Sequence, residues 1–300
     1  MYLSSNCCAR QIQPRPSAGF SLIEIAIVLV ILAILAVSLG SPIAGMVDLR
    51  HREDTGQNLQ KVETALVSFV SSVRRLPCPA NGALTNGDVN WGLEVRSASG
   101  VCDAMTTGVV PWRTIGLTPA DAVDGWRSLI TYRVALNLTV DGGMTLSDCD
   151  PAGTASAAGI NQLCSATCVG TNLSTCTMPS AFLAGKGLKI QNNPDPLAVP
   201  PVVLMALADP AATPATGAAF VLISAGPTLG PAYNLNGQLV PTTAVVGTEE
   251  AKNANNQPLQ TYYVDDDANN SSSTLHFDDI VRRPSVATII GKANLGPRAH

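Results

Sequence analysis

Residues Phe20 to Leu39 read FSLIEIAIVLVILAILAVSL, an apolar run broken by one ionisable side chain, Glu24. At 1.5 Å per residue, a helix of this length covers about 30 Å, the hydrocarbon thickness of a bilayer. The segment ahead of it holds Arg10 and Arg15 and no acid. That asymmetry predicts a single span over 20–44, with a cytoplasmic N-terminus and everything beyond the span exported. A plain signal-anchor fits this pattern. A cleaved secretory signal fits less well, since the run is long and only Ser38-Leu39-Gly40-Ser41-Pro42 offers a small-residue flank.

Composition removes other classes. Charged residues make up 13% of the 300-residue chain and the formal net charge is −4. A charged fraction about half the globular norm of roughly 25% excludes a coiled coil and an acidic disordered chain. With 18 Lys and Arg against 22 Asp and Glu there is no basic footprint for a phosphate backbone, so no nucleic-acid partner is expected.

Glu24 is the informative exception within the run. A carboxylate facing lipid costs about 2–3 kcal/mol unless it is paired or close to the interface. The string Gly19-Phe20-Ser21-Leu22-Ile23-Glu24 resembles the prepilin processing signature of type IV pilins and type II secretion pseudopilins. The resemblance implies cleavage by prepilin peptidase between Gly19 and Phe20, followed by N-methylation of Phe20. It also implies that Glu24 neutralises the Phe20 amine of a neighbouring subunit as the helices pack into a filament. Many relatives carry a helix-bending proline one position earlier than Pro42, where a kink is still expected.

Beyond Pro42 the helix becomes amphipathic. Leu59, Val62, Leu66, Phe69, Val73 and Leu76 recur at steps of three and four, while charged residues take other positions. This pattern extends the helix to about Arg75, before Pro77, with its stripe packed on a sheet. The charges are mixed in sign, which disfavours a lipid-surface helix.

From Leu76 the texture turns to Pro, Gly, Asn and Cys. Val109 to Leu117, Asp124-Gly125-Trp126 and Leu129 to Val134 resemble segments of some proteobacterial prepilin-type proteins, where a turn leads into the first strand. Relatives often place Gly directly after the Trp, where this chain has Arg127. Trp112 and Trp126 are expected to cap the helix–sheet core, and ligand stacking is the lesser alternative. Further strands are predicted within Gly187–Gln191, Val202–Ala208, Ala219–Ser224 and Thr261–Asp265. Phe220 to Pro227 and Phe277 to Val281 resemble the family's strand-then-glycine loop and its closing segment.

The expected fold class is α+β, a type IV pilin fold. A long N-terminal helix, half membrane and half amphipathic, packs on an antiparallel sheet with a Cys-rich loop insertion. The domain reading is a leader over 1–19, the membrane part of the helix over 20–44, and an exported body over 45–300. The insertion spans about 141–216.

Cys7 and Cys8 fall in the leader. Cys78, Cys102, Cys149, Cys164, Cys168 and Cys176 remain, and an even count in an exported body favours disulfides. Six cysteines allow fifteen pairings, among which Cys78–Cys102 is the local choice, leaving the other four to staple the insertion. A zinc site built on Cys149, Cys164, Cys168 and Cys176 is the alternative.

No HExxH, GxSxG or GxxxxGK(S/T) string is present, so no enzymatic activity is expected. His276 near Asp278 and Asp279 imitates a base with its orienting acid but lacks a matched nucleophile. Asp265-Asp266-Asp267 is the calcium candidate by ligand chemistry, and major pseudopilins are known to bind calcium in a C-terminal loop. No other cofactor is expected.

The leading expectation is therefore a minor pilin or minor pseudopilin, because the bulk of this body would crowd a uniform filament. It would sit in the inner membrane with its body in the periplasm, or reach the cell exterior within a pilus. Expected partners are other pilin or pseudopilin subunits, prepilin peptidase, the inner-membrane assembly platform and the lipid bilayer. The alternatives are an adhesin or substrate-binding module presenting the Cys-rich insertion, and a membrane-anchored exported enzyme that no motif supports.

Overall fold

The computed structural model describes residues 21–103, 105–144, 185–193, 201–206, 217–241, 247–257 and 259–295, with the backbone alone over 35–45. The chain divides into two compact units, Met1–Leu49 and Arg50–His300. The described part of the first unit is helical. Helix α1 (Leu22–Val73) begins there and ends in the second unit, and its assignment runs through Pro42 without a break. Among the predicted disulfide residues, Cys149, Cys164, Cys168 and Cys176 lie outside the described residues.

Within the second unit α1 buries Thr55, Leu59, Val62, Leu66 and Val70. The stripe read from the sequence continued instead through Phe69 and Val73. Phe69 is only half-buried and Val73 is 40% exposed. An α-helix repeats every 3.6 residues, so a set spaced at 3.5 drifts off the packed face and Val70 rotates in. The helix also stops earlier than predicted. Arg74 takes φ 63° and donates its N–H to the Val70 carbonyl at 2.8 Å, a left-handed termination.

Ten short strands follow among the described residues: β1 (Ala80–Asn81), β2 (Gly108–Val109), β3 (Thr131–Val134), β4 (Ile190–Gln191), β5 (Val203–Met205), β6 (Phe220–Ser224), β7 (Ala232–Tyr233), β8 (Leu239–Val240), β9 (Tyr263–Val264) and β10 (Ile280–Arg282). Helix α2 (Val286–Lys292) comes last, and the Ser285 side chain caps it by accepting the Thr288 N–H at 3.1 Å.

The principal sheet has the order β1-β2-β3-β6-β10, antiparallel throughout. Its two faces serve two cores. Tyr132, Val134, Phe220 and Leu222 join the large cluster that holds the α1 stripe, Trp112, and Val286, Ile289 and Ile290 of α2. On the opposite face Val221 and Ile223 pack with Ile190, Met205, Ala218 and Tyr263. Those partners come from a second sheet, β5-β4-β9. The architecture is α+β in three layers: helices, principal sheet, small sheet.

Two details differ from the expectation. The pairing of β4 with β9 is parallel, so the chain is not wholly antiparallel. Strands β4 and β5 also arise from 141–216, and this part of the stretch read as an inserted loop contributes Ile190 and Met205 to the second core.

A polar tie joins the helices to the sheet. Glu63 on α1 is buried, and its carboxylate accepts hydrogen bonds from Arg282 of β10 and from Lys292 of α2. Burial works to raise the Glu63 pKa, but the Lys292 and Arg282 bonds outweigh it and hold the carboxyl below its ordinary range. A lowered carboxyl pKa contributes stability above the unfolded value, and the contribution fades as pH falls through the folded value. Both basic partners are well exposed, so screening by solvent reduces what the tie contributes. Glu63→Gln should cost about 1–2 kcal/mol at pH 7. The loss should shrink below pH 4 (urea unfolding at both pH values); an equal loss at both would mean packing, not charge, is what matters at Glu63.

Candidate functional site

Two regions carry functional interest. At the N-terminus, Ser21 precedes the first helical residue and Glu24 stands three positions on. The Ser21 N–H donates to Glu24 Oε2 at 3.3 Å, the return half of a capping box. Glu24 thus turns back on its own helix start, where a carboxylate also meets the positive end of the helix dipole. Around it Leu22, Ile23, Ile25 and Ile27 are at least half-exposed, and the same holds through Leu32 and Ile34. Gly19 and Phe20 lie outside the described residues. Among the described residues no helix is long and apolar enough to cross a membrane, and the described side chains of the apolar run stop at Ile34.

The second region lies on the face of the principal sheet away from α1. A short 3-10 turn, Glu250–Asn253, brings Glu250 beside the segment that enters β10. Glu250 Oε2 meets His276 Nδ1 at 2.8 Å and accepts the Gly247 N–H at 2.9 Å. Its Oε1 accepts the Asp278 N–H at 2.7 Å. Ligand atoms of Glu250, His276 and Asp278 lie within 4.8 Å of one another. Asp278 accepts from the Thr228 hydroxyl at 2.9 Å and the Thr228 N–H at 3.2 Å. Burial, and then Glu250, push its pKa up to about 6. Asp279 accepts from Asn253 Nδ2 at 2.8 Å, and burial followed by the charge of Glu250 raises it well above its ordinary value.

The predicted calcium turn is arranged differently. Asp265 is ion-paired with Arg283, Asp266 accepts the Asn193 N–H at 2.8 Å, and Asp267 is exposed. Asp265 and Asp266 are thus engaged with different partners. Trp112 is fully buried in the large core, and Trp126 is half-buried with its ring edge-on to His51 at 5.5 Å. Arg127 takes φ 70°, the left-handed conformation that suits the glycine seen in the resembling segments.

Residues 14–40 match the family described as the prokaryotic N-terminal methylation motif. The chain carries the prepilin-type signature of type IV pilins and pseudopilins. That signature is the kind processed by prepilin peptidase ahead of assembly with other pilin subunits. No curated protein and no solved structure matches the chain. The signature thus bears on the N-terminal region, and the body is described by its own geometry.

Sequence reasoning singled out Gly19, Phe20 and Glu24 from a contiguous string. It missed Glu250 and Asn253, whose neighbours in the chain give no hint of a site. His276, Asp278 and Asp279 were noticed as an imitation of a catalytic pair. Their partner is Glu250, 26 residues upstream of His276.

Proposed function

We propose that this protein is a minor pilin or minor pseudopilin. It is inserted in the inner membrane through the helix over 20–44, cleaved between Gly19 and Phe20, N-methylated at Phe20, and assembled through that helix. The observation that carries the reading is the methylation-motif match over 14–40. It lies directly at the start of a helix whose described apolar side chains are exposed as far as Ile34.

In a monomer Glu24 has only a local hydrogen bond. In a bundle it meets the freed Phe20 amine of the next subunit, and an intramembrane charge gains a partner. The Cys78–Cys102 disulfide supports an exported, oxidising location for the body. The length of the chain, 300 residues, supports minor status, since its bulk would crowd a uniform filament.

Mass spectrometry of membrane-associated protein should find a chain starting at N-methylated Phe20. Cells lacking prepilin peptidase should retain residues 1–19. Glu24→Ala should still be cleaved but lose most of its incorporation into filaments. A mature chain that keeps its first nineteen residues in peptidase-proficient cells would overturn the reading.

A further inference from the structure

We propose that Asn86-Gly87 is a self-modifying site: the folded body directs spontaneous deamidation to Asn86, exchanging its amide for a carboxylate with water as the only co-reactant. The proposal stands apart from the reading of the N-terminus and shares no residue with it. The chemistry is intramolecular. The backbone nitrogen of the residue after an asparagine attacks the side-chain Cγ, and the Cγ–Nδ2 bond breaks. The displaced nitrogen takes up the proton lost by the attacking one and leaves as ammonia. Water then opens the cyclic imide, giving aspartate when it adds at Cγ and isoaspartate when it adds at the main-chain carbonyl. One water is consumed and one ammonia released. The step needs a backbone N–H that is not donated elsewhere, a side chain free to turn, and open space around the nitrogen. A following glycine helps because no Cβ screens the approach.

Asn-Gly occurs at 81–82, 86–87 and 236–237. At the first and last of these the fold holds the reacting atoms. The Gly82 N–H donates to Thr107 O at 3.0 Å, and Asn81 Oδ1 accepts the Ala83 N–H at 3.0 Å. A Cβ on Gly82 would lie 2.7 Å from the Tyr233 ring, so the nitrogen is also crowded. The Gly237 N–H donates to Asn234 O at 3.1 Å, and the Asn236 N–H donates to Asn234 Oδ1 at 2.9 Å. A Cβ on Gly237 would lie 2.5 Å from the Ala83 carbonyl oxygen.

Asn86-Gly87 differs in each respect. Every residue from Thr85 to Asn90 is exposed. Among the described residues, neither the Asn86 side chain nor the Gly87 N–H has a hydrogen-bond partner. The nearest atom to a Cβ on Gly87 is Thr85 Oγ1, at 3.9 Å. The turn is held by its ends instead. The Asp88 N–H donates to Thr85 O at 2.9 Å, and the Thr85 N–H and hydroxyl donate to Asp88 Oδ2 at 2.7 and 2.9 Å. A β-turn closed in this way leaves the amide of its third residue unbonded, and here that residue is the glycine. The site also lies between Cys78 and Cys102, so the crosslink tethers the segment while the turn changes. Conversion places a second negative charge two residues from Asp88, and a long-lived subunit thus records its age as surface charge.

The test is to warm the full chain in detergent at neutral and mildly alkaline pH, native and in urea. Peptide mapping by mass spectrometry and enzymatic methylation of isoaspartate read the products. In the native chain Asn86 should convert about tenfold faster than Asn81 or Asn236, and faster still in alkali, where base removes the Gly87 proton. In urea the three sites should react at similar rates, since the fold no longer protects two of them. Gly87→Ala adds a Cβ that meets nothing closer than 3.9 Å, so it should fold like the parent and slow conversion at Asn86 about tenfold. Three results would sink the proposal. They are an Asn86 that stays intact in the native chain while the unfolded chain reacts, native conversion at Asn81 or Asn236 as fast as at Asn86, and a Gly87→Ala variant that converts at the parent rate.

Discussion

Trp112→Ala should destabilise the body by about 3–5 kcal/mol, the cost of deleting a large buried aromatic side chain. Trp112 is 0% exposed at the heart of the large core. Its ring meets that of Trp91 edge-on, with centroids 5.1 Å apart, and such a pair contributes about 0.5–1.5 kcal/mol beyond burial. The backbone has been shaped around it. Gly92 takes φ 74°, and a Cβ there would lie 2.2 Å from Trp112 Cε2, so no other residue fits beneath the ring. The Trp112 carbonyl also accepts the Leu117 N–H at 2.7 Å and closes the turn that follows.

Trp112→Phe separates ring from indole. Trp112 Nε1 is buried without a partner, so the phenyl ring keeps most of the packing and gives up no hydrogen bond. Trp126→Ala is the contrast, since Trp126 is half-buried and should cost about 1 kcal/mol, in the middle of the usual range. Urea unfolding followed by circular dichroism ranks the three. If Trp112→Ala cost no more than Trp126→Ala, the large core would not be centred where it is described.

The second large effect is expected from the disulfide. Cys78 and Cys102 are bonded across a separation of 24 residues, with Cα atoms 5.3 Å apart. Closing a loop of that size removes enough freedom from the unfolded chain to be worth about 3–4 kcal/mol in the chain-entropy account. Glu94, inside the loop it closes, pairs with Arg75, which precedes Cys78. Arg75 Nη1 and Nη2 donate to Glu94 Oε2 and Oε1 at 2.9 and 2.8 Å, and Glu94 Oε2 accepts the Cys78 N–H at 2.9 Å.

Arg75 is buried, so removing Glu94 leaves it the more distant Asp141 carboxylate at 3.6 Å and the Leu76 carbonyl at 3.1 Å. Because the crosslink and the ion pair share the Cys78 backbone, their losses should not add. Urea midpoints of Cys78→Ser/Cys102→Ser, Glu94→Gln and the triple variant measure that coupling. Strict additivity would mean that the two devices act independently.

What could be read in advance followed the length of the pattern. The N-terminal string is contiguous, and its match to the methylation motif required no tertiary information. Strand β6 was legible because FVLIS is a continuous apolar run, and the early part of the α1 stripe because it repeats over several turns. The small sheet was harder. Its strands are two or three residues long, too short for any period to register, and β9 lies far along the chain from β4 and β5. Hairpin β7-β8 went unremarked although Asn236-Gly237 is a strong turn pair. The carboxyl cluster is assembled from Asp124, Glu250 and the pair at 278–279, and only the folded topology brings those together.

Strand β6 has apolar side chains at four consecutive positions and gives one core to its odd residues and another to its even ones. A strand greasy on both sides lacks the usual penalty for sliding by one place, since either set would still be dry after the shift. Its alignment must come from neighbours that do care. Arg133, opposite Val221, reaches carbonyls that only one alignment supplies, and Ser224 donates to Asp124 Oδ2 at 2.7 Å. The least soluble segment of the body is therefore kept in place by its most water-loving contacts, and weakening those would invite slipped and aggregating forms before it unfolded the protein.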